Sequence, residues 1–122
     1  LPMRPKIDST SFGQIAIEGQ RYSHDVVIHL DGSVTKRKKK LSKKIYGTSH
    51  KISLEEAEHV YEEGAEKVLI GGGQFNRAQL SEQAEAFFQG KGVEVAITST
   101  SEAIEAWNQA EGAVIGLFHV TC

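Results

Sequence analysis

Residues 68–80, VLIGGGQFNRAQL, bring together residue types that bind anions: three glycines, then Gln74, Asn76 and Arg77. Glycines let backbone N–H groups converge on one point, which is how phosphates are cradled. A dinucleotide fingerprint needs G-x-G-x-x-G running straight into a helix. Here the glycines are consecutive, position 76 is Asn, and the next helix is expected only near Ser81. No Lys-Ser/Thr pair follows, so a Walker loop is excluded. The plain alternative is a strand end with at least one glycine at positive φ, and the sequence favours it. An anion site survives on geometry. In open α/β sheets ligands lie beyond the carboxyl ends of parallel strands, and residues 71–77, 98–101 and 119–122 are expected to share that edge. The candidate ligand-binding residues are Gly71, Gly72, Gly73, Gln74, Arg77, Thr98, Ser99, Thr100 and His119. They offer donors and no carboxylate, which suits a small anion.

His119 and Cys122 invite comparison with a Cys–His nucleophile pair. On a regular strand these positions face opposite sides, so no catalytic residue is assigned and the reading leans away from an enzyme. Cys122 is the sole cysteine. It excludes an internal disulfide and a cysteine zinc site, and a reducing cytoplasm is the expected setting. His59 stands four residues from both Glu55 and Glu63, a spacing that could hold a metal. The surrounding Glu56, Glu58 and Glu62 read instead as a solvated acidic face. Neither a metal nor a cofactor is expected.

Residues 36–44, KRKKKLSKK, hold Lys36, Arg37, Lys38, Lys39, Lys40, Lys43 and Lys44, half of the chain's 14 basic residues. A nucleic-acid surface needs such charges on one face, with aromatics to stack bases. Only Tyr46 is near, and in a strand Lys36, Lys38 and Lys40 face away from Arg37 and Lys39. A lysine-guarded edge strand is the expected reading, with nucleic acid a further alternative. Charge is divided along the whole chain. Residues 1–52 carry about +7 and residues 53–122 about −9, which points to a protein partner or to mutual attraction of the halves. The oligomeric state stays open.

The elements that must position these groups follow from periodicity. Residues 11–17 alternate as a strand, Glu18-Gly19 turns the chain, and residues 21–30 form a second strand. Asp31-Gly32 is a hairpin turn with both central positions favouring positive φ, and residues 33–39 pair back. After Leu41 the pattern dissolves. Ser53 and Glu56 have capping-box spacing, opening a helix with Leu54, Ala57, Val60 and Tyr61 that Gly64 closes. A short buried strand, residues 67–70, precedes the glycines. Ser81 caps a helix carrying Ala84, Phe87 and Phe88; residues 93–97 form the next strand. Ser99 and Glu102 open a third helix bearing Ala103, Ile104 and Trp107, and residues 113–119 are the last strand. The order β-β-β-α-β-α-β-α-β gives an α/β fold: an N-terminal antiparallel β-meander, then two parallel βαβ crossovers, in one mixed sheet with helices on both faces.

The length of 122 residues suits a single domain spanning residues 1–122, and 39% hydrophobic with 25% charged residues is ordinary. No apolar run approaches the ~18 residues of a membrane span, and residues 1–13 lack the apolar core of a signal peptide.

Six segments, SFGQIAIEG, HDVVIHLDG, GTSHKIS, VLIGGGQ, TSTSEAIEAWN and LFHVTC, resemble in content and order a small family of uncharacterised domains. Its eukaryotic relatives include the adipogenesis-associated domain protein and a mitochondrial NADH-dehydrogenase (complex I) assembly factor; KKIYGTSH looks like the archaeal and bacterial branch. The resemblance implies a three-layer α/β domain and no established reaction or catalytic residue. Relatives often carry a bulkier residue at position 72, so Gly72 is expected to loosen the loop. The resemblance also informs a strand order with the last strand beside the glycine strand and residues 93–97 outside it. That order places a crevice between Gly72 and His119. The expected function is a non-catalytic binding or assembly module, with a small-anion protein or enzyme as the alternative.

Overall fold

The computed structural model describes residues 4–122; the first three residues of the stretch read for a leader lie outside the described residues. In chain order the elements are β1 (Ile7–Ser11), β2 (Gln14–Ile17), β3 (Gln20–Tyr22), β4 (Val26–Ile28), β5 (Val34–Lys36), α1 (Lys40–Tyr46), β6 (Lys51–Ile52), α2 (Leu54–Val60), β7 (Lys67–Gly72), β8 (Gln79–Leu80), α3 (Glu82–Gly90), β9 (Glu94–Thr98), α4 (Thr100–Gln109) and β10 (Val114–His119). Five strands form a mixed central sheet in the order β5-β4-β10-β7-β9. β7 is parallel to both β10 and β9, and β4 is antiparallel to β10. The meander β1-β2-β3 forms its own antiparallel sheet, and β6 pairs with β8 in a two-stranded parallel one.

Period-two alternation explains the layers. Leu69, Val114 and Phe118 face α4 residues Ala103, Ile104 and Trp107 and the meander residues Ile7, Ile15 and Ile17. Val68, Ile70, Ile115 and Leu117 face the other way, onto Ala57 and Val60 of α2 and Ala84 and Phe88 of α3. The two crossover helices therefore cover opposite faces of the β7–β10 centre. Ser53, Ser81 and Ser99 each cap a helix, accepting from the backbone N–H three residues on.

The second strand expected over residues 21–30 is interrupted. β3 belongs to the meander and β4 to the central sheet, and the joint between them holds the buried Asp25. The two hairpin turns also divide differently from expectation. Glu18 and Gly19 both have positive φ, 48° and 78°. At Asp31-Gly32 only the glycine does, because Asp31 Oδ1 instead accepts from Ser33 N and Ser33 Oγ. Residues 37–40 are not strand: β5 stops at Lys36, and a helix runs through Lys40–Tyr46 until Gly47, at φ 73°, ends it. α2 ends at Val60, ahead of Gly64, since Tyr61 is already extended. Among the described residues no helix is long and apolar enough to cross a membrane.

Candidate functional site

Gly71, Gly72 and Gly73, Thr98, Ser99 and Thr100, and His119 do meet at one edge of the sheet, because β7, β9 and β10 run parallel. Gly71 and Gly72 extend β7 rather than leaving it, and Gly73 makes the exit at φ 104°. The space between them is occupied. Thr100 Oγ1 accepts from Gly73 N at 2.9 Å and donates to His119 O, while Thr100 N donates to Gly73 O. A Cβ on Gly71 would stand 2.9 Å from that hydroxyl, and one on Gly73 would stand 2.6 Å from the Cys122 backbone. Gln74 N donates to Thr121 O at 2.7 Å. The glycines thus admit neighbouring chain, and the converging N–H groups already have partners. Nor is the loop loosened at Gly72: the Asn76 side chain lies over it, where a Cβ would be 2.1 Å from Oδ1, and Ala78 N donates to Gly72 O. Ser99 and Thr98 are half-buried, with Ser99 engaged in the α4 cap. Arg77 is exposed and stands apart from this set, near His50.

Next to His119 lies a buried ionic cluster that the pattern of the sequence did not assemble. Arg37 occupies its centre with a side chain 0% exposed. Its Nε and Nη2 donate to Glu56 at 2.6 and 3.0 Å, Nη1 to Asp25 Oδ2 at 3.0 Å, and Nη2 also to Ser49 O. Glu56 additionally accepts from Ser42 Oγ. Asp25 accepts from Val120 N at 2.8 Å and pairs with His119 Nδ1 at 2.8 Å. Burial pushes the Asp25 carboxyl up, but the His119 hydrogen bond and charge, Val120 N–H and Arg37 together hold it below its ordinary value. For Arg37, burial works against the charge, and Glu56 and Asp25 outweigh it, so its value is raised. Among the described residues every buried side-chain N or O has a partner. The cluster therefore ties β4, β10, α1 and α2 together and leaves no group free for a ligand.

Arg37 is accordingly withdrawn from the basic patch. Lys36, Lys38, Lys39, Lys40, Lys43 and Lys44 remain exposed, with Lys44 paired to Glu55 of α2 at 2.7 Å. That contact links the basic segment to the acidic helix α2; between exposed side chains it is worth ~0–1 kcal/mol. The Tyr46 ring carries the Lys51 ammonium 4.6 Å from its centroid, so a base would have to displace that contact to stack there.

Arg77, named from the sequence, instead lines a hollow of about 330 Å3 with residues that sequence reasoning left out of the site: Thr48, His50, Lys51, Gln79 and Leu80. His50 stands edge-on to His119 with ring centroids 5.3 Å apart, and its Nε2 lies 3.8 Å from Cys122 Sγ. Burial first, then the positive groups His119, Arg77 and Arg37, hold His50 below its ordinary value despite Asp25. The polar side chains lining the hollow include no carboxylate.

Two phenylalanines are exposed at the edge where the meander meets the glycine loop: Phe12, at 63%, and Phe75, at 69%. Phe12 lies in the β1–β2 turn, whose Gly13 N donates to Val120 O at 2.8 Å; Phe75 follows Gln74, whose Nε2 donates to Thr10 Oγ1 at 3.3 Å. Residues 120–121 thus bridge the two loops.

The family model described as "Protein of unknown function (DUF498/DUF598)" matches residues 7–118. The fold is shared with the conserved hypothetical protein PH1505 from Pyrococcus horikoshii OT3, at 32% identity and TM-score 0.90, over 96% of this chain and 99% of that one. It is similar to MT938 at 33% identity and TM-score 0.82, over 97% and 99%. A Mth938-like domain from Bordetella pertussis has the same fold at 17% identity and TM-score 0.64, over 95% and 85%. No curated protein gives a significant match.

Proposed function

Since the chain belongs to the DUF498/DUF598 family, whose description assigns no reaction, we propose that it is a non-catalytic binding module that docks on another protein through the edge carrying Phe12 and Phe75. The observation that carries this reading is the exposure of both rings on loops fastened to the same segment. A single exposed phenylalanine is ordinary. Two aromatic side chains on one braced edge are the kind of anchor that dominates interface energies. Beside them Thr10 and Gln74, joined by a side-chain hydrogen bond, offer a hydroxyl and an amide, which suits a partner presenting an apolar pocket edged by polar groups. The resemblance to an adipogenesis-associated domain and a complex I assembly factor supports an assembly role, and the lone cysteine supports a cytoplasmic setting.

Photo-cross-linking with benzoylphenylalanine at position 12 or 75 is expected to trap the same protein from both positions. Phe12→Ala/Phe75→Ala is expected to lose that protein in co-purification while its circular dichroism stays unchanged. Different proteins from the two positions, or undiminished co-purification of the double variant, would remove this edge from the function.

The hollow at His50 favours a second reading, a small-anion site displaced from the glycine crevice toward Lys51 and Arg77. A bound anion would offset the positive neighbours that depress His50, so binding should tighten as pH falls and His50 takes up a proton. Inorganic phosphate is expected to raise the melting temperature, more at pH 6 than at pH 8, and Arg77→Ala to abolish the rise. No shift at millimolar phosphate would end this reading.

A further inference from the structure

The two edges of the central sheet are built differently. β5 is three residues long, is mostly exposed and ends in a run of lysines, the usual protection of an edge against pairing. β9 has five residues, Glu94-Val95-Ala96-Ile97-Thr98, with no lysine or proline, in unbroken register with β7. Among the described residues it pairs with β7 alone. Glu94 N donates to Glu66 O at 3.1 Å, so Glu94, Ala96 and Thr98 turn their backbone groups toward β7. Val95 and Ile97 therefore turn theirs outward.

We infer that β9 is a self-pairing edge that joins two copies of this chain, antiparallel and centred on Ala96, into one continuous sheet. In that register Val95 lies opposite the second copy's Ile97 and Ile97 opposite its Val95. Both are outward-turned positions, so each pair exchanges reciprocal backbone hydrogen bonds. Ala96 faces Ala96 across the two-fold axis as the non-bonded pair, where strands approach most closely and a small side chain fits. Glu94 falls opposite Thr98, so the register brings no two like charges together.

Side-chain fit points to a second copy as the occupant. A hollow of about 340 Å3 lies beside β9 on its α3 face, with Leu80, Phe88, Val93, Val95 and Ile97 among its lining. Directly opposed residues share a face, so the Val95 and Ile97 side chains of each copy would close the other's hollow. The contact is isologous, as a two-fold dimer requires, and follows the strand-addition mode: backbone bonds for affinity, side-chain pockets for selection.

Sedimentation velocity across a concentration series tests it. The wild-type chain is expected to shift from one to two chain masses as concentration rises. Val95→Pro removes an outward N–H that β7 does not use, and edge strands tolerate proline at such positions; Ile97→Lys places a charge in the shared apolar seam without altering the backbone. Each variant is expected to keep its circular dichroism and to dimerise roughly tenfold or more weakly, while Lys36→Pro on β5, whose N–H also turns away from its partner strand, leaves dimerisation unchanged. The Val95 and Ile97 amides should also become protected from hydrogen exchange as dimer forms. A wild-type chain that stays monomeric at millimolar concentration overturns the inference. So do folded Val95→Pro and Ile97→Lys variants that dimerise as tightly as wild type.

Discussion

Arg37→Met is expected to lower the free energy of unfolding by about 3–5 kcal/mol, the usual loss when one partner of a buried ionic group is removed. Met fills much of the space but leaves the carboxylates of Asp25 and Glu56 buried beside each other without the guanidinium that separates them. Arg37→Lys should also destabilise. Three nitrogens in a planar fork reach four acceptors here, and a single ammonium cannot reproduce that geometry. Neutralising one stranded carboxylate, as Glu56→Gln in the Arg37→Met background, should recover part of the loss. Urea unfolding provides the measurement, with a lower midpoint at unchanged slope. Lys38→Met, one residue along and exposed, should stay within about 0.5 kcal/mol of wild type. Equal effects at 37 and 38 would show that the cluster contributes no net coupling.

The same cluster sets an acid limit. The folded protein holds the Asp25 carboxyl below its ordinary 3.8. A carboxyl depressed by folding contributes stability that is complete above its unfolded value and is lost as pH falls through the folded one. The Asp25 contribution should therefore be intact at neutral pH and decline below about pH 4. Asp25→Asn should start less stable and lose less over that acid window.

Why the sheet was legible while this cluster was not is a matter of range. Alternation and capping act over a few residues, and they placed β7, β9, β10, α3 and α4 within a residue or two. Connectivity through parallel crossovers then brought Gly73, Thr100 and His119 to one edge. The cluster joins positions 25, 37, 56 and 119, whose only local traces are single residues at odds with their surroundings. Glu56 is one of these. Ser53, Glu56, Ala57 and Val60 follow the i, i+3, i+4, i+7 pattern of a buried face, and all four are buried. Read by spacing alone, Glu56 completes a capping box; in the fold its carboxylate turns to Arg37, and Ser53 N donates to Ser42 Oγ instead. Arg37 is the other trace, the one arginine within a run of lysines. α1 escaped notice because its buried side is Ser42, a polar residue held by Glu56 and Ser53, so it carries no apolar period. The occupied crevice could not be foreseen either. Glycines that admit a ligand and glycines that admit the chain's own backbone have the same sequence.

Trp107→Ala is expected to cost about 3–5 kcal/mol, the range for deleting a large buried ring. The indole is 0% exposed and lies on the α4 face with Ala103 and Ile104. It meets Phe118 edge-to-face at 5.9 Å, an arrangement that adds to burial. Its Nε1 donates to Pro5 O at 2.8 Å, and the Arg4 guanidinium lies 5.2 Å from the ring centroid while bonding Ala110 O at the end of α4. The ring thus holds the segment before β1 as well as filling the core, and Trp107→Phe should retain most of the packing while losing that hydrogen bond, at about 1–3 kcal/mol. Gly116 of β10 lies beneath the indole: a Cβ there would stand 3.0 Å from Trp107 Cζ3 and 2.5 Å from Phe118 Cε2. Gly116→Ala should therefore destabilise by about 1–3 kcal/mol although it adds a methyl group to an apolar site, because the rings must move. As the chain's sole tryptophan, Trp107 reports on its own site. Wild-type emission should shift to longer wavelength on unfolding, and Gly116→Ala should shift it partway in the folded protein. A Trp107→Ala chain that unfolds at the wild-type midpoint would contradict the placement of this helix against the sheet.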